Sequence, residues 1–224
     1  QVNQYETGSD ILLTTKQKLS KISQVELASW ASNTDIERIS LCHNGEIEKT
    51  LIYQTSPPSI TWCGIKIKPP PGSFLQPTVF GEEILQKQIL LSFKDMKHCL
   101  DLFSGIGTLS ANLLAHEIRI TAFDNNKECL DAFKSGYQRA NQNNLLKTEI
   151  RNLLKAPLMH NFLSKFQGII IDPPRGGAHA QIKQIAMSDC PSVTYVSCNP
   201  FSFVDDAKIL IQGGYRFKNF KLLD

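Results

Sequence analysis

The chain has 224 residues, 42% of them hydrophobic and 20% charged, and a formal net charge of +3. That balance describes a soluble chain of one large domain or two small ones with a real core, and it excludes a disulfide-stapled scaffold. No apolar run approaches the roughly eighteen residues of a membrane span, and no secretory leader opens the chain, so a cytoplasmic protein with no membrane partner is expected.

The six cysteines, Cys42, Cys63, Cys99, Cys129, Cys190 and Cys198, include no CxxC pair, so no metal site is expected within the chain. Residues 1–95 carry nine Lys/Arg against ten Asp/Glu, and residues 96–224 fifteen against eleven. The basic bias of the second half is compatible with a nucleic-acid partner but does not identify one. Position 1 is Gln and the chain stops at Asp224 without a polar tail, so cuts are expected at both ends.

Residues 10–15 read as a strand, and Lys16 to Ala31 follows with Leu19, Ile22, Leu27 and Trp30 near helical spacing. Ile39–His43 and Glu46–Tyr53 flank Asn44-Gly45, the pattern of a two-residue hairpin turn. His43 in this hairpin reads as a solvated or structural side chain, since no second metal-type residue accompanies it. A third strand, Ile60 to Lys68, runs into Pro69-Pro70-Pro71-Gly72. Successive prolines hold an extended backbone and read as a hinge. The expected organisation is therefore a small α+β domain over 1–71, a connecting segment and helix over 72–95 (helix Gly81 to Phe93), and a second domain over 96–224.

From Lys97 strands alternate with helices. Cys99–Phe103 reads as a strand, Ser104-Gly105-Ile106-Gly107-Thr108 as a Gly-rich loop, and Leu109 to His116 as a helix. Arg119–Phe123 forms a strand closed by Asp124, and Asn125 to Asn141 a helix with Leu130, Phe133 and Tyr137 on one face. Further strands are expected near Glu149–Arg151, at Gly168–Ile171, over the buried run Thr194–Val196, and at Arg216–Leu223. Helices are expected around Ala180–Ala186 and Phe203–Ile211, the last stopped by Gly213-Gly214. This alternation implies an α/β fold with a doubly wound, mostly parallel sheet and right-handed crossovers.

Three stretches at the C-terminal ends of these strands carry chemistry. Gly105 and Gly107 let the backbone approach a ligand, and Asp124 stands where a carboxylate accepts ribose hydroxyls. Dinucleotides and S-adenosylmethionine share this plan. Ser110 replaces the third glycine of the dinucleotide fingerprint, which together with Asp101 favours the adenosyl donor. Asp172-Pro173-Pro174-Arg175-Gly176-Gly177 places a carboxylate and a fixed positive charge at the next tip, though such a run also makes a plain turn. Cys198 ends the adjoining strand; taken alone it reads first as a packed sulfur.

Asp101–Thr108, Asp172–Arg175 with Gly177, Ser197–Pro200 and Pro71–Gln76 together resemble the RNA uracil-5-methyltransferase family, and most of all its 23S ribosomal RNA branch. The resemblance runs from about residue 10 to the end. It implies a class I, Rossmann-like methyltransferase fold preceded by a small RNA-contacting α+β domain. It implies S-adenosylmethionine as cofactor, held by Gln76, Phe103, Gly105, Gly107, Thr108, Asp124, Asn152 and Asp172. Cys198 is then the nucleophile, with Asp172 or its neighbouring carbonyls and Gln76 as candidates to hold the uracil edge and Arg175 as one candidate for the positive charge that a thiolate requires. The implied partner is RNA, 23S rRNA rather than tRNA, and a monomer is expected.

Thr108 stands where many members have Asn, Asp124 where many have Glu, Asn152 where an acid is usual, and Asp205 where Arg is common. The resemblance also implies elements outside this chain: a proton-abstracting glutamate and the sheet's last antiparallel strand after Asp224, an RNA-binding β-barrel, and an iron-sulfur cysteine cluster. A fragment without that glutamate is expected to bind donor and turn over poorly. Two other readings stay open at this point, a dinucleotide-dependent oxidoreductase and a non-catalytic RNA-binding fragment.

Overall fold

In the computed structural model, which describes residues 1–44, 48–140 and 144–223, the chain forms two units. One comprises Gln1–Thr61 with Lys66–Leu75, and the other Trp62–Ile65 with the chain from Gln76 onward.

The first unit carries a four-stranded sheet in the order β1-β2-β3-β4, formed by β1 (Val2–Gln4), β2 (Ser9–Thr15), β3 (Ile36–His43) and β4 (Lys49–Gln54). β2 and β3 run parallel, so the chain must cross over between them, and α1 (Lys21–Ala31) is that crossover. β3 and β4 pair antiparallel, and Asn44 at the end of β3 has φ 46°, as a primed turn requires. Gly45 of the expected turn and Glu46 at the expected strand start lie outside the described residues, as does Asn141 in the second unit.

The structure departs from these expectations in four places. β1 was not anticipated. α1 begins at Lys21 and not Lys16, because the Ser20 hydroxyl accepts from the Ser23 N–H and sets the start. The expected apolar face is not buried either: Ile22 and Trp30 are exposed and only Ala31 of the helix is buried. The five-residue step from Ile22 to Leu27 rotates the stripe by about 140°, which breaks the face. The expected strand over Ile60–Lys68 is instead a two-stranded ribbon, β5 (Ile60–Trp62) and β6 (Ile65–Ile67). Cys63 and Gly64, with φ 49° and 82°, form its turn.

The triproline lies within the first unit. Asp10 and Arg38 form a buried bidentate pair at 2.7 and 2.8 Å, and the same guanidinium donates to the Pro69 carbonyl at 3.0 Å. Lys49 donates to the carbonyl of Pro71.

The second unit is the doubly wound α/β layer. Its elements are α2 (Val79–Phe93), β7 (His98–Leu102), α3 (Ala111–Ala115), β8 (Arg119–Asp124), α4 (Lys127–Ala140), β9 (Leu146–Ile150), α5 (His160–Leu163), β10 (Gly168–Ile171), α6 (His179–Ala186), β11 (Val193–Tyr195) and α7 (Pro200–Gln212). The sheet order is β11-β10-β7-β8-β9, all pairs parallel. Order therefore reverses between β7 and β10, which is where ligands settle in such sheets. Strands covered on both faces read as continuous apolar runs, and Leu100, Leu102, Ile120, Ala122 and Ile169–Ile171 are fully buried. Leu130, Phe133 and Tyr137 of α4 are buried together, as their spacing predicts.

Three expectations for this unit fail. β11 is half-buried rather than buried, because among the described residues it pairs only with β10 and forms the sheet edge. Residues 216–223 form no strand, since none of the described strands lies beside them to complete a ladder. Instead, the rings of Phe217 and Phe220 lie 6.3 and 6.0 Å from that of Phe203 on α7. The helix expected at Leu109 starts only at Ala111, after a series of turns.

Candidate active site

The Gly-rich loop leaves β7 through Phe103, whose φ of 62° is a left-handed conformation uncommon for so bulky a residue. The Ser104 N–H donates to the Phe123 carbonyl at 3.1 Å, tying the loop to β8. Gly105 has φ 54° and nothing within 4 Å of the place a Cβ would occupy, so its backbone faces open space. Gly107, with φ 85°, sits against the Phe133 ring. Asp124 at the tip of β8 accepts from the Gly105 N–H through Oδ2 and the Asn126 N–H through Oδ1, both at 2.8 Å. The carboxylate thus shapes the loop and retains lone pairs for further donors. Thr108 is 9% exposed, and its carbonyl accepts from the buried Gln86 amide of α2 at 2.8 Å. Nothing in the local sequence sets Gln86 apart from the other polar residues of α2.

Across the order reversal, Asp172 follows β10, and the Gln76 amide donates to its Oδ2 at 3.3 Å. Two residues 96 positions apart, both singled out from sequence, meet here. Burial pushes the Asp172 carboxyl up to about 6, and the Gln76 donor partly offsets this. Asp101, on β7 between Ile170 of β10 and Ala122 of β8, is 1% exposed, and its Oδ2 has no hydrogen-bond partner. Burial raises it to about 7; the nearby Ser110 hydroxyl, which lacks hydrogen-bond geometry, pulls it back in part, and Asp172 and Asp124 push it further up.

Both acids hold protons in the fold at pH values where the unfolded chain, near its reference value of about 4, has lost them. Their contribution to stability is fully present below about pH 4 and is lost as pH rises through 6 and 7. The melting temperature is expected to fall by several degrees between about pH 5 and pH 8, and Asp101→Asn should remove most of that slope. An unchanged slope in the variant would mean that Asp101 is ionised already.

Cys198 lies in the exposed loop after β11, and its thiol makes no hydrogen bond among the described residues. Asn199 caps α7 by accepting from the Phe201 N–H at 3.1 Å, with Pro200 as the first helical residue. The other side of the Asn199 amide donates to the Arg175 carbonyl at 2.9 Å, and the Ser202 hydroxyl donates there at 3.1 Å. The 172–177 loop and the start of α7 are therefore fastened together, while the Arg175 guanidinium has no ion-pair partner among the described residues. Asn152 is exposed, and its side-chain oxygen accepts from the Lys155 N–H at 3.1 Å, closing a local turn. Among the described residues no group of His, Cys, Asp and Glu is arranged to hold a metal ion, and no helix is long and apolar enough to cross a membrane.

No protein-family model matches the chain. It is 35% identical over 178 residues to an uncharacterized RNA methyltransferase of Mesorhizobium japonicum, covering 80% of this chain and 43% of that one. An uncharacterized RNA methyltransferase of Brucella suis is 31% identical over 219 residues, 98% of this chain and 51% of that one. The chain thus spans about half the length of the curated relatives it matches. Among solved structures it resembles the Pyrococcus abyssi tRNA (uracil-54, C5)-methyltransferase in complex with S-adenosyl-L-homocysteine, with a TM-score of 0.70, 19% identity, and coverage of 93% of this chain and 52% of that one. Pyrococcus abyssi Trm5b gives a TM-score of 0.60 at 11% identity, covering 96% and 65%. At such identities the structures speak to the fold, an α/β class I methyltransferase sheet. Over about half of their length, the chain is similar to the bacterial RNA methyltransferases it matches.

Proposed function

We propose that the protein is an S-adenosylmethionine-dependent RNA methyltransferase that methylates C5 of a uridine, in 23S rRNA in preference to tRNA, through a covalent bond between Cys198 and C6. The observation that carries the reading is the placement of an exposed thiol on the same sheet edge as the Gly105 loop and the Asp172–Gln76 pair. The other exposed cysteine, Cys63, lies at the β5–β6 turn.

The residues fit the donor. Asp101, Asp124 and Asp172 set three carboxylates at one edge, two of them short of counter-charge, which suits a ligand carrying a sulfonium and an ammonium. The same three acids oppose a pyrophosphate, which weighs against the dinucleotide reading. Asp124 would take the ribose hydroxyls, the open backbone at Gly105 the adenosyl body, and Phe103, Gly107, Thr108, Asn152, Gln76 and Asp172 the remaining walls. When bound, S-adenosylmethionine supplies an electrophilic methyl group.

C5 of uracil is a weak nucleophile. Addition of the Cys198 thiolate to C6 moves the C5–C6 π electrons toward C5 and the C4 carbonyl, so that C5 becomes nucleophilic. Arg175, whose carbonyl is held by Asn199 and Ser202 beside the start of α7, is the proposed source of positive charge at the site. Gln76 and Asp172 hydrogen-bond the uracil edge. A base then removes the C5 proton, and the electron pair left behind expels Cys198 as thiolate. The thiol and the methyl act on the ring from opposite sides, so the uridine is single-stranded or flipped out.

RNA carrying 5-fluorouridine tests the reading, because fluorine at C5 cannot leave as a proton and elimination stalls. Incubated with donor and a 23S rRNA fragment substituted in this way, the protein is expected to form a denaturation-resistant adduct whose linked peptide contains Cys198. The corresponding tRNA should give little. Failure to form any adduct would overturn the proposal, and a preference for tRNA would overturn the substrate assignment.

A further inference from the structure

Asp206 takes no part in the chemistry proposed above, yet it joins two of the segments that carry it. It lies two turns into α7 and is 2% exposed. Its Oδ2 accepts from the Tyr195 hydroxyl at 2.7 Å and from the Ala178 N–H at 2.9 Å. Tyr195 is the last residue of β11, so the chain running from it to Cys198 starts at this bond. Ala178 closes the loop that began at Asp172 and caps α6. Gly177 has φ 79°, and a Cβ there would fall 2.8 Å from Asp206 Oδ2, so only glycine lets the loop rest on the carboxylate. His179 Nδ1 stands 3.8 Å from Oδ1 and adds an ion pair only when protonated.

The same two segments are joined again at the surface, where Asn199 and Ser202 hold the Arg175 carbonyl. The loop bearing Asp172 and Arg175 is thus fixed to α7 at two points, one exposed and one buried. The segment bearing Cys198 is fixed through Tyr195 at its start and Asn199 at its end. Burying a carboxylate merely to pack a helix is unfavourable, and an apolar residue would pack better. What a carboxylate adds is two directed acceptor bonds from one atom.

We propose that Asp206 is a positioning residue, which sets Cys198 against Asp172 and Arg175 by fastening the end of β11 and the end of the 172–177 loop to α7. Its functional consequence rests on the reading of Cys198 as the nucleophile; the clamp itself does not.

Asp206→Ala, Asp206→Asn and Tyr195→Phe are compared by hydrogen exchange, by S-adenosylhomocysteine binding and by the rate of trapping on 5-fluorouridine RNA. In Asp206→Ala, exchange across 176–179 and 196–203 is expected to rise by about tenfold or more while β7 and β8 keep their protection, with a smaller rise in Tyr195→Phe. Asparagine retains an acceptor oxygen and should restore most of the protection. Trapping should slow by about 100-fold in the alanine variant and about tenfold in Tyr195→Phe, with affinity for S-adenosylhomocysteine within about threefold of wild type. Wild-type trapping rates in a folded variant overturn the proposal. So does a matched loss of trapping and S-adenosylhomocysteine binding, since a general support of the fold would lose both. If Asp206→Ala does not fold, Tyr195→Phe decides by the same measures. If wild-type protein traps no RNA, the nucleophile reading fails, and hydrogen exchange alone judges the clamp; unchanged exchange in Tyr195→Phe overturns it.

Discussion

Cys198→Ala is expected to lower single-turnover methyl transfer to RNA by at least about 10⁴-fold while leaving S-adenosylhomocysteine affinity within about twofold. The size follows from what the thiol supplies. Without the bond to C6 there is no path for charge to reach C5, and Cys198 is the exposed thiol at this sheet edge among the described residues. Cys198→Ser should fare little better, because a serine hydroxyl near neutral pH has almost no alkoxide. Stability should hardly change: Cys198 is exposed and makes no hydrogen bond among the described residues, so the melting temperature is expected within about a degree of wild type. The buried cysteines give the opposite result. Cys99 sits in the core with its thiol pushed up to about 12, chiefly by burial, so it should resist alkylation, and its replacement should cost stability. Methyl transfer and alkylation mass spectrometry check both halves. More than about a tenth of wild-type methylation in Cys198→Ala would exclude the covalent route, because transfer would then not depend on adduct formation.

The second unit was readable because its signals are local. β7, β8 and β10 are short apolar runs ended by Phe103, Asp124 and Asp172, and the loop and turn residues that follow are those the backbone needs at those points. The alternation of strand and helix then fixes the parallel sheet, and the sheet brings Gln76 to Asp172 and Gly105 to Asp124. What escaped depends on partners distant in sequence or on context. Gln86 reads as one more polar residue on α2 until Thr108 is known to lie beneath it. Asp206 is one of two adjacent acids on α7; its neighbour Asp205 is exposed, and only the approach of Tyr195 and Ala178 separates their roles. The residues after Gly214 have strand-like alternation but no described strand to pair with, and alternation alone makes no ladder. Cys63 concealed a turn because a side chain with φ 49° is not what turn statistics favour.

The two glycines of the first loop should separate sharply on mutation. A Cβ on Gly107 would fall 2.3 to 2.4 Å from three atoms of the Phe133 ring, which is fully buried on α4, so the ring itself would have to shift. Overpacking of a tight core costs about 1–3 kcal/mol, and the left-handed φ of 85° adds roughly 1–2 kcal/mol. Gly107→Ala is therefore expected to lose roughly 2–5 kcal/mol, read as a lower urea midpoint at unchanged slope. Gly105→Ala meets no atom within 4 Å and carries only the conformational cost of φ 54°, so roughly 1–2 kcal/mol is expected. Its effect should appear instead in donor binding, because the methyl group projects into the space where the backbone faces the proposed ligand. A combined Gly107→Ala and Phe133→Leu variant should recover part of the loss, since a smaller side chain admits the new methyl. Equal destabilisation by the two alanines would mean that loop conformation alone sets the cost. No recovery in the double variant would mean that Phe133 is not what Gly107 accommodates.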